Sequence, residues 1–315
     1  MKAKVLTYII EASHLPGKGE RADKVLSRFE GLPSRSQLKA WFDEGRVRRG
    51  FEALQPNSTL HLGDKIEIKI LPPKKMELEP RKMKLKIFYE DDDLLVLYKP
   101  KGLSMHPGAG KKDETTLVHG LLAISEKLSS VGDEFRPGIV HRLDKDTEGV
   151  VVVAKNNEIH EALSRQFSSR SIDRAYWALC WGKFPLEMTI EGPIGRNPRD
   201  RKKMAVTSSG KPAKTDVKLI RYFPEGYSWV ECKLHTGRTH QIRVHLTHKK
   251  FGLLGDHDYA KKRKIDWSLE KEKAYEKLEG QALVAFRLGF THPKTSERLQ
   301  FEVDKPEWLQ ILTKE

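Results

Sequence analysis

The run Gly149-Val150-Val151-Val152-Val153-Ala154-Lys155 constrains the fold more than any other segment of the chain. Its β-branched residues lose side-chain freedom in a helix and pack well on a pleated surface, and the lack of polar alternation marks a buried strand. Runs at residues 86–89, 94–98, 174–181, 216–222, 228–234, 283–291 and 298–303 read as further strands, with an acidic turn at 90–93 between the first two. Helices are few. Asn156 opens an amphipathic one through Leu163 and Phe167, and Asp304 followed by Pro306 caps and starts a closing one. Residues 261–280, dense in Lys and Glu, read as an exposed helical excursion whose charges pair at i,i+4. Many strands with few interspersed helices predict an α+β domain with a large mixed, mostly antiparallel sheet.

At 315 residues the chain exceeds one ordinary compact domain, and its first part has a different texture. Residues 22–29 carry Val25, Leu26 and Phe29 at helical spacing. Ser34 or Ser36 can cap a second helix through Trp41 and Phe42, which Gly45 stops. A Gly63-Asp64 turn then leads into an alternating strand. Pro72, Pro73 and Pro80 among lysines and glutamates have the composition of an extended linker. The expected division is a small α/β unit over 1–75, a linker over 76–85 and a large domain over 86–315. The apolar run at 5–10 is too short for a signal segment or a membrane span. The only cysteines, Cys180 and Cys232, form no disulfide framework. Both features point to a cytoplasmic protein with free, buried thiols.

A formal charge of +14 creates a field that favours polyanions, nucleic acid ahead of an anionic membrane surface. Two places concentrate it. Arg35 and Lys39 on the second helix, followed by Arg46, Arg48 and Arg49, put several cations on a compact face that can track a phosphate backbone. The second is the basic loop Arg196-Asn197-Pro198-Arg199-Asp200-Arg201-Lys202-Lys203-Met204-Ala205-Val206, whose Arg201 and Lys202 can grip phosphates. In the first region the pattern Arg21-Ala22-Asp23-Lys24-Val25-Leu26, then Ser34-Arg35-Ser36-Gln37-Leu38, Glu44-Gly45-Arg46-Val47 and Gly63-Asp64 resembles an S4 RNA-binding domain.

The segment Pro137-Gly138-Ile139-Val140-His141-Arg142-Leu143-Asp144-Lys145-Asp146-Thr147-Glu148-Gly149 lies between a Pro-Gly pair and the buried strand, which places its side chains in a cleft at the end of the sheet. Its mixture of carboxylates, cations and an imidazole fits catalysis and a structural ion-pair network alike. The wording decides between them. His141-Arg142-Leu143-Asp144-Lys145-Asp146-Thr147-Glu148-Gly149 resembles the signature of the RluA-type pseudouridine synthases. Lys99-Pro100-Lys101-Gly102-Leu103 with His106-Pro107-Gly108 resembles an upstream motif of that family, and residues 234–246, Leu-His-Thr-Gly-Arg-Thr-His-Gln-Ile-Arg-Val-His-Leu, a downstream one. The loop at 196–215 is worded like the RluD-like subgroup that acts on large-subunit ribosomal RNA. Departures are Glu148 for the usual serine, Met105 for valine, Arg174 for lysine, and residues 250–253, which lack Gly-x-Pro before Leu254-Gly255-Asp256.

The resemblance implies an isomerase that breaks the N1–C1′ bond of uridine, turns the base and joins C5 to C1′, with no cofactor, metal or small-molecule cosubstrate. It assigns Asp144 as the catalytic carboxylate, Arg243 as its bidentate partner, and Tyr176 as the ring that stacks on uracil and assists the late proton transfer from C5. Arg142 matches a wedge that fills the place of the flipped base, with a phosphate contact as the alternative, and His141 and His240 are scaffold. Histidines 141, 240 and 245 do not have zinc-site spacing. Asp146 leaves open a second carboxylate for a hydrolytic glycosidase. One domain holds every proposed catalytic group, so a monomer is expected, with a hairpin loop of large-subunit rRNA as the substrate.

Overall fold

The computed structural model describes residues 4–314, apart from 18, 30, 31, 33, 34, 71–77, 109–113, 126, 127, 130–135 and 262. The chain divides into two compact units, Met1–Lys75 and Met76–Glu315.

In the first unit a four-stranded sheet runs in the order Lys4–Ile9, Lys65–Ile70, Val47–Arg49, Glu52–Ala53. The helices Ala22–Leu26 and Arg35–Asp43 cover it, with Val25, Leu26, Leu38 and Phe42 buried in one core with Val47, Ile66 and Ile68. Gly45 ends the second helix with φ +66° and an N–H bonded to Phe42 O at 2.9 Å, the left-handed stop expected of it. Ser34 and the Ser36 side chain lie outside the described residues. The short apolar run near the start of the chain is a sheet strand: Val5 and Ile9 face solvent while Ile10 is fully buried.

The second unit carries a nine-stranded sheet, α+β and mixed as the strand content predicts. Its order is Glu187–Glu191, Lys214–Phe223, Tyr227–Leu234, Asp173–Trp181, Leu283–Thr291, Glu148–Ala154, Leu94–Lys99, Lys86–Glu90. Arg298–Glu302 pairs with the far half of Leu283–Thr291. Every pairing is antiparallel except that of Leu283–Thr291 with Glu148–Ala154. The valine run is buried on both faces. Val151 and Val153 join Leu95, Leu97 and Ala285 in one core, and Val150 and Val152 join Val96, Ile159, Leu163 and Phe286 in the other. The helix Asn157–Ser169, capped by Asn156 Oδ1 accepting from Ile159 N–H at 3.0 Å, seals the second face.

Two expectations are corrected. Of the described residues in 261–280 only Leu269–Glu276 is helical, and it is anchored: Lys271, Ala274 and Tyr275 are buried, and Trp267 stacks between Tyr227 at 5.1 Å and Tyr275 at 5.5 Å. Its charges reach across the fold, Lys271 to Glu225 at 2.6 Å and Glu270 to Lys314 at 3.2 Å, so aromatic burial places this segment and i,i+4 pairing does not. The closing helix Glu307–Leu312 has Pro306 itself at the N-cap, without a side-chain cap from Asp304. Buried Leu309 and Leu312 and the Trp308 ring fix it instead. Among the described residues no helix is long and apolar enough to cross a membrane. Cys180 and Cys232 are free and buried, and burial pushes the Cys180 thiol up to about 12.

Gly149 sits where the single parallel pairing brings two strands closest. Its φ is +131°, and a Cβ there would lie 2.2 Å from Ala285 O. Gly149→Ala is expected to cost roughly 3 kcal/mol. A fall in the urea midpoint measures it, and a loss below about 1 kcal/mol would show that the two strands separate easily there.

Candidate active site

Ahead of the buried strand the chain doubles back, with Ile139 bridging to Val153 and residues 140–147 looping over the strand's start. Three anchors hold this loop. Thr147 N–H bonds Asp144 O at 3.1 Å, and Gln281 Nε2 donates to Thr147 Oγ1 at 2.9 Å. Lys99, fully buried, donates from Nζ to Pro100 O and Leu103 O at 2.8 Å and to Lys145 O at 2.9 Å, tying residues 99–103 to the peptide beside Asp144. Burial pushes the Lys99 amine down to about 7, while three carbonyl acceptors favour the ammonium, which alone has three N–H groups. The third anchor is His141, stacked on Phe167 at 4.7 Å with Nε2 accepting from Val152 N–H at 3.1 Å. Burial pushes its pKa down to about 3, so it is a neutral strut.

Asp144 faces two nitrogen donors. Its Oδ2 is 3.5 Å from Arg243 Nη1 and its Oδ1 is 3.9 Å from His240 Nε2. The bidentate partner of Arg243, however, is Asp256: Nε and Nη2 donate to its two oxygens at 2.8 Å each, and Nη2 also reaches Asp258 at 2.8 Å. Asp256 is buried to 2% exposure and takes the fork, leaving Nη1 for Asp144. Burial alone would lower the guanidinium pKa, but the bonds and charge of Asp256 override it and raise it.

Arg243 belongs to the helix Gln241–His248, whose N-cap His240 has a left-handed φ of +55°. Gln241 fixes the loop before it, accepting from Thr236 Oγ1 at 2.7 Å and Arg238 N–H at 3.0 Å and donating to Lys214 O and Thr215 Oγ1. His240 Nδ1 lies 2.8 Å from the Tyr259 hydroxyl, which accepts from Met204 N–H at 2.8 Å. Tyr259 in turn lies under the Arg243 guanidinium at 4.8 Å. His245 bonds Thr215 and the Gly192 carbonyl, so histidines 141, 240 and 245 point to different partners and do not converge.

One cavity of about 500 Å³ brings Arg142, Asp144, Tyr176 and Arg243 together. Tyr176 is 7% exposed on the strand Asp173–Trp181, and burial raises its pKa, so the phenol stays protonated. Arg142 is exposed and makes no ion pair or hydrogen bond among the described residues. Asp146 does not line the cavity; its side chain packs against Gly280. Not singled out from the sequence are the cavity arginines 170, 174 and 238, and the buried Asp256 and half-buried Tyr259 behind the site. Leu254-Gly255-Asp256 was the available signal for the last two.

Arg201 and Lys202 are exposed at the turn between the paired strands Ile194–Arg196 and Met204–Val206, an ordered hairpin bound to the Asp258 carbonyl through Lys203 Nζ at 2.6 Å. Arg35, Lys39, Arg46 and Arg48 lie in the first unit. There Arg35 pairs with Asp23 at 2.6 Å, Lys39 with Asp43 at 3.9 Å and Arg46 with Glu44, while Arg48 bonds the Gly45 carbonyl.

The profile of the RNA pseudouridylate synthase family matches residues 93–248, the stretch that carries Asp144, Tyr176 and Arg243. An uncharacterised RNA pseudouridine synthase of Bacillus subtilis is 40% identical over 291 residues, covering 92% of each chain. The chain belongs to the RNA pseudouridylate synthase family. Its members are isomerases that act on RNA. The ribosomal large subunit pseudouridine synthase D of Neisseria meningitidis serogroup B is 42% identical, over 91% of this chain and 76% of its own. The solved structure of human RNA pseudouridylate synthase domain containing 1 superposes with a TM-score of 0.57 at 25% identity, over 77% of this chain and 89% of that one.

The enzyme's unusual Glu148 points away from the cavity. It accepts from Tyr98 Oη at 2.6 Å and from Trp308 Nε1 at 2.5 Å, joining the strand Glu148–Ala154 to the closing helix.

His141 gives the synthase a testable acid limb. Its folded pKa of about 3 lies below an unfolded value of about 6.5, so only the unfolded chain takes up that proton between the two, and stability falls as pH falls through that window. His141→Gln, which keeps an acceptor for Val152 N–H, is expected to flatten the stability-versus-pH curve between pH 6 and 4 by up to about 1.4 kcal/mol per pH unit. Denaturant titrations across that range measure it; curves of equal slope would mean that His141 is not held neutral.

Proposed function

We propose that the enzyme isomerises uridine to pseudouridine in a hairpin loop of large-subunit ribosomal RNA, with Asp144 as the essential carboxylate. The observation that carries this reading is the Asp144 carboxylate, set between Arg243 and His240 in a cavity rimmed by arginines. The names of relatives that modify the large ribosomal subunit support the substrate.

The target bonds are hidden in folded RNA, so the nucleotide is flipped into the cavity at a cost of roughly a few kcal/mol of unstacking. Arg142, exposed at the rim and unpartnered, fills the vacated stack. Asp144 acts by adding to sugar or base or by taking a sugar proton, and N1–C1′ cleavage follows. Tyr176 holds the freed uracil while it turns to offer C5, and assists loss of the C5 proton once C5–C1′ has formed. Because the product is an isomer, the reaction consumes no electrons and no donor group. A hydrolytic glycosidase would need a second carboxylate across the bond. The packing of Asp146 against Gly280 speaks against that role.

The first unit serves as an S4-type RNA-binding module, its cations Arg35, Lys39, Arg46 and Arg48 tracking the backbone, while Arg201 and Lys202 grip phosphates near the target. The enzyme works as a cytoplasmic monomer, since one chain supplies every group named. Wild type is expected to release tritium from ribosomal RNA labelled at uridine C5, and Asp144→Asn to lose at least about 10³ of that rate. Free uracil among the products would replace the isomerase reading with a hydrolase. Removing residues 1–73 is expected to weaken RNA binding and flatten its salt dependence while sparing turnover of saturating RNA; unchanged affinity would remove the binding role from that unit.

A further inference from the structure

Arg174 is a charge without a counter-charge. It is 9% exposed, and among the described residues no carboxylate comes within ion-pair distance of it; its Nε is buried with no hydrogen-bond partner. The other cavity arginines differ. Arg243 is buried but bound by carboxylates, Arg238 Nε donates to Pro212 O, and Arg142 and Arg170 reach solvent. A guanidinium out of water without an anion is costly, and the face of Phe167, 5.3 Å away, offsets only part of that cost.

The surroundings keep the group aimed and accessible. The Phe167 ring holds the guanidinium plane, and Gly237 leaves the approach to Nη1 open, since a Cβ there would come within 3.1 Å of that nitrogen. Arg174 stands two residues before Tyr176 on one strand, and both line the cavity. The ligand that suits a desolvated fork of N–H donors is an oxyanion with two acceptor oxygens. In RNA that group is the phosphodiester.

We propose that Arg174 is a built-in phosphate receptor, which binds a phosphodiester of the nucleotide that enters the cavity and is left unpaired in the free enzyme. The assignment rests on the reading that the cavity receives a uridine of RNA. It makes Arg174 a residue whose charge lowers the stability of the free protein in exchange for substrate binding, the opposite of a packing arginine.

The test uses full-length enzyme and a large-subunit rRNA transcript, with binding measured without turnover across a salt series. Arg174→Met is expected to weaken binding about tenfold at moderate salt and to lower the slope of log K against log salt by roughly one phosphate's worth, 0.7–0.9. Its Tm without RNA is expected to equal or exceed that of wild type. Arg174→Lys, which keeps the charge and loses the fork, is expected to keep the slope while losing a few-fold in affinity. An unchanged slope in the Met variant would overturn the assignment, as would a lowered Tm or failure to fold, either of which marks an arginine that packs. RNA that binds with the expected slopes but is not isomerised would sink the rRNA substrate and leave the phosphate receptor standing.

Discussion

The guanidinium of Arg243 is the interaction on which the site depends. Buried on the helix Gln241–His248, it satisfies Asp256 with two donors, adds Asp258, lies over Tyr259, and turns its remaining nitrogen to Asp144. A buried cation with one carboxylate would be an ion pair of uncertain net worth. With two carboxylates and a ring fixing its plane, Arg243 becomes a rigid reference, and Asp144 is placed against something that cannot follow it. The wider Arg243 to Asp144 gap of 3.5 Å thus divides labour: Asp256 is structural, and Asp144 stays free to engage another group.

Behind that reference the frame is made of backbone. Lys99 gathers three carbonyls from two loops, His141 braces the loop on Val152, and Gln241 stitches the turn before the helix to Lys214 and Thr215. None of these side chains has to meet RNA for its effect. They convert a polar turn, ordinarily the most mobile kind of segment, into one with a fixed carboxylate.

Much of this was legible in advance, for identifiable reasons. The valine run announced a strand covered on both faces because burial removes any need for polar alternation, and Leu283–Thr291 was readable to the residue. Asp144, Tyr176 and Arg243, far apart in the chain, share one cavity with Arg142. What the sequence hid was partner choice. Nothing in residue order says that Arg243 gives its fork to Asp256, or that Glu148 is spent on Tyr98 and Trp308, because those pairings are set by depth in the fold. The lysine-rich segment at 261–280 misled for the same reason: its charges suggested a solvated helix, and the aromatic contacts of Trp267 with Tyr227 and Tyr275 that fix it are tertiary.

The parallel pairing of Glu148 and Gly149 with Val284 and Ala285 carries a consequence for how the enzyme is made. By the time Arg243 has left the ribosome, the side chains that face the cavity from Asp144 onward have nearly all been synthesised. The strand that flanks Gly149 and the helix that holds Glu148 through Trp308 have not. Contacts spanning more than a hundred residues close late and slowly. A nascent chain therefore carries the cavity residues up to Arg243 before the frame around them exists, and that frame closes only once residues 283–312 have emerged.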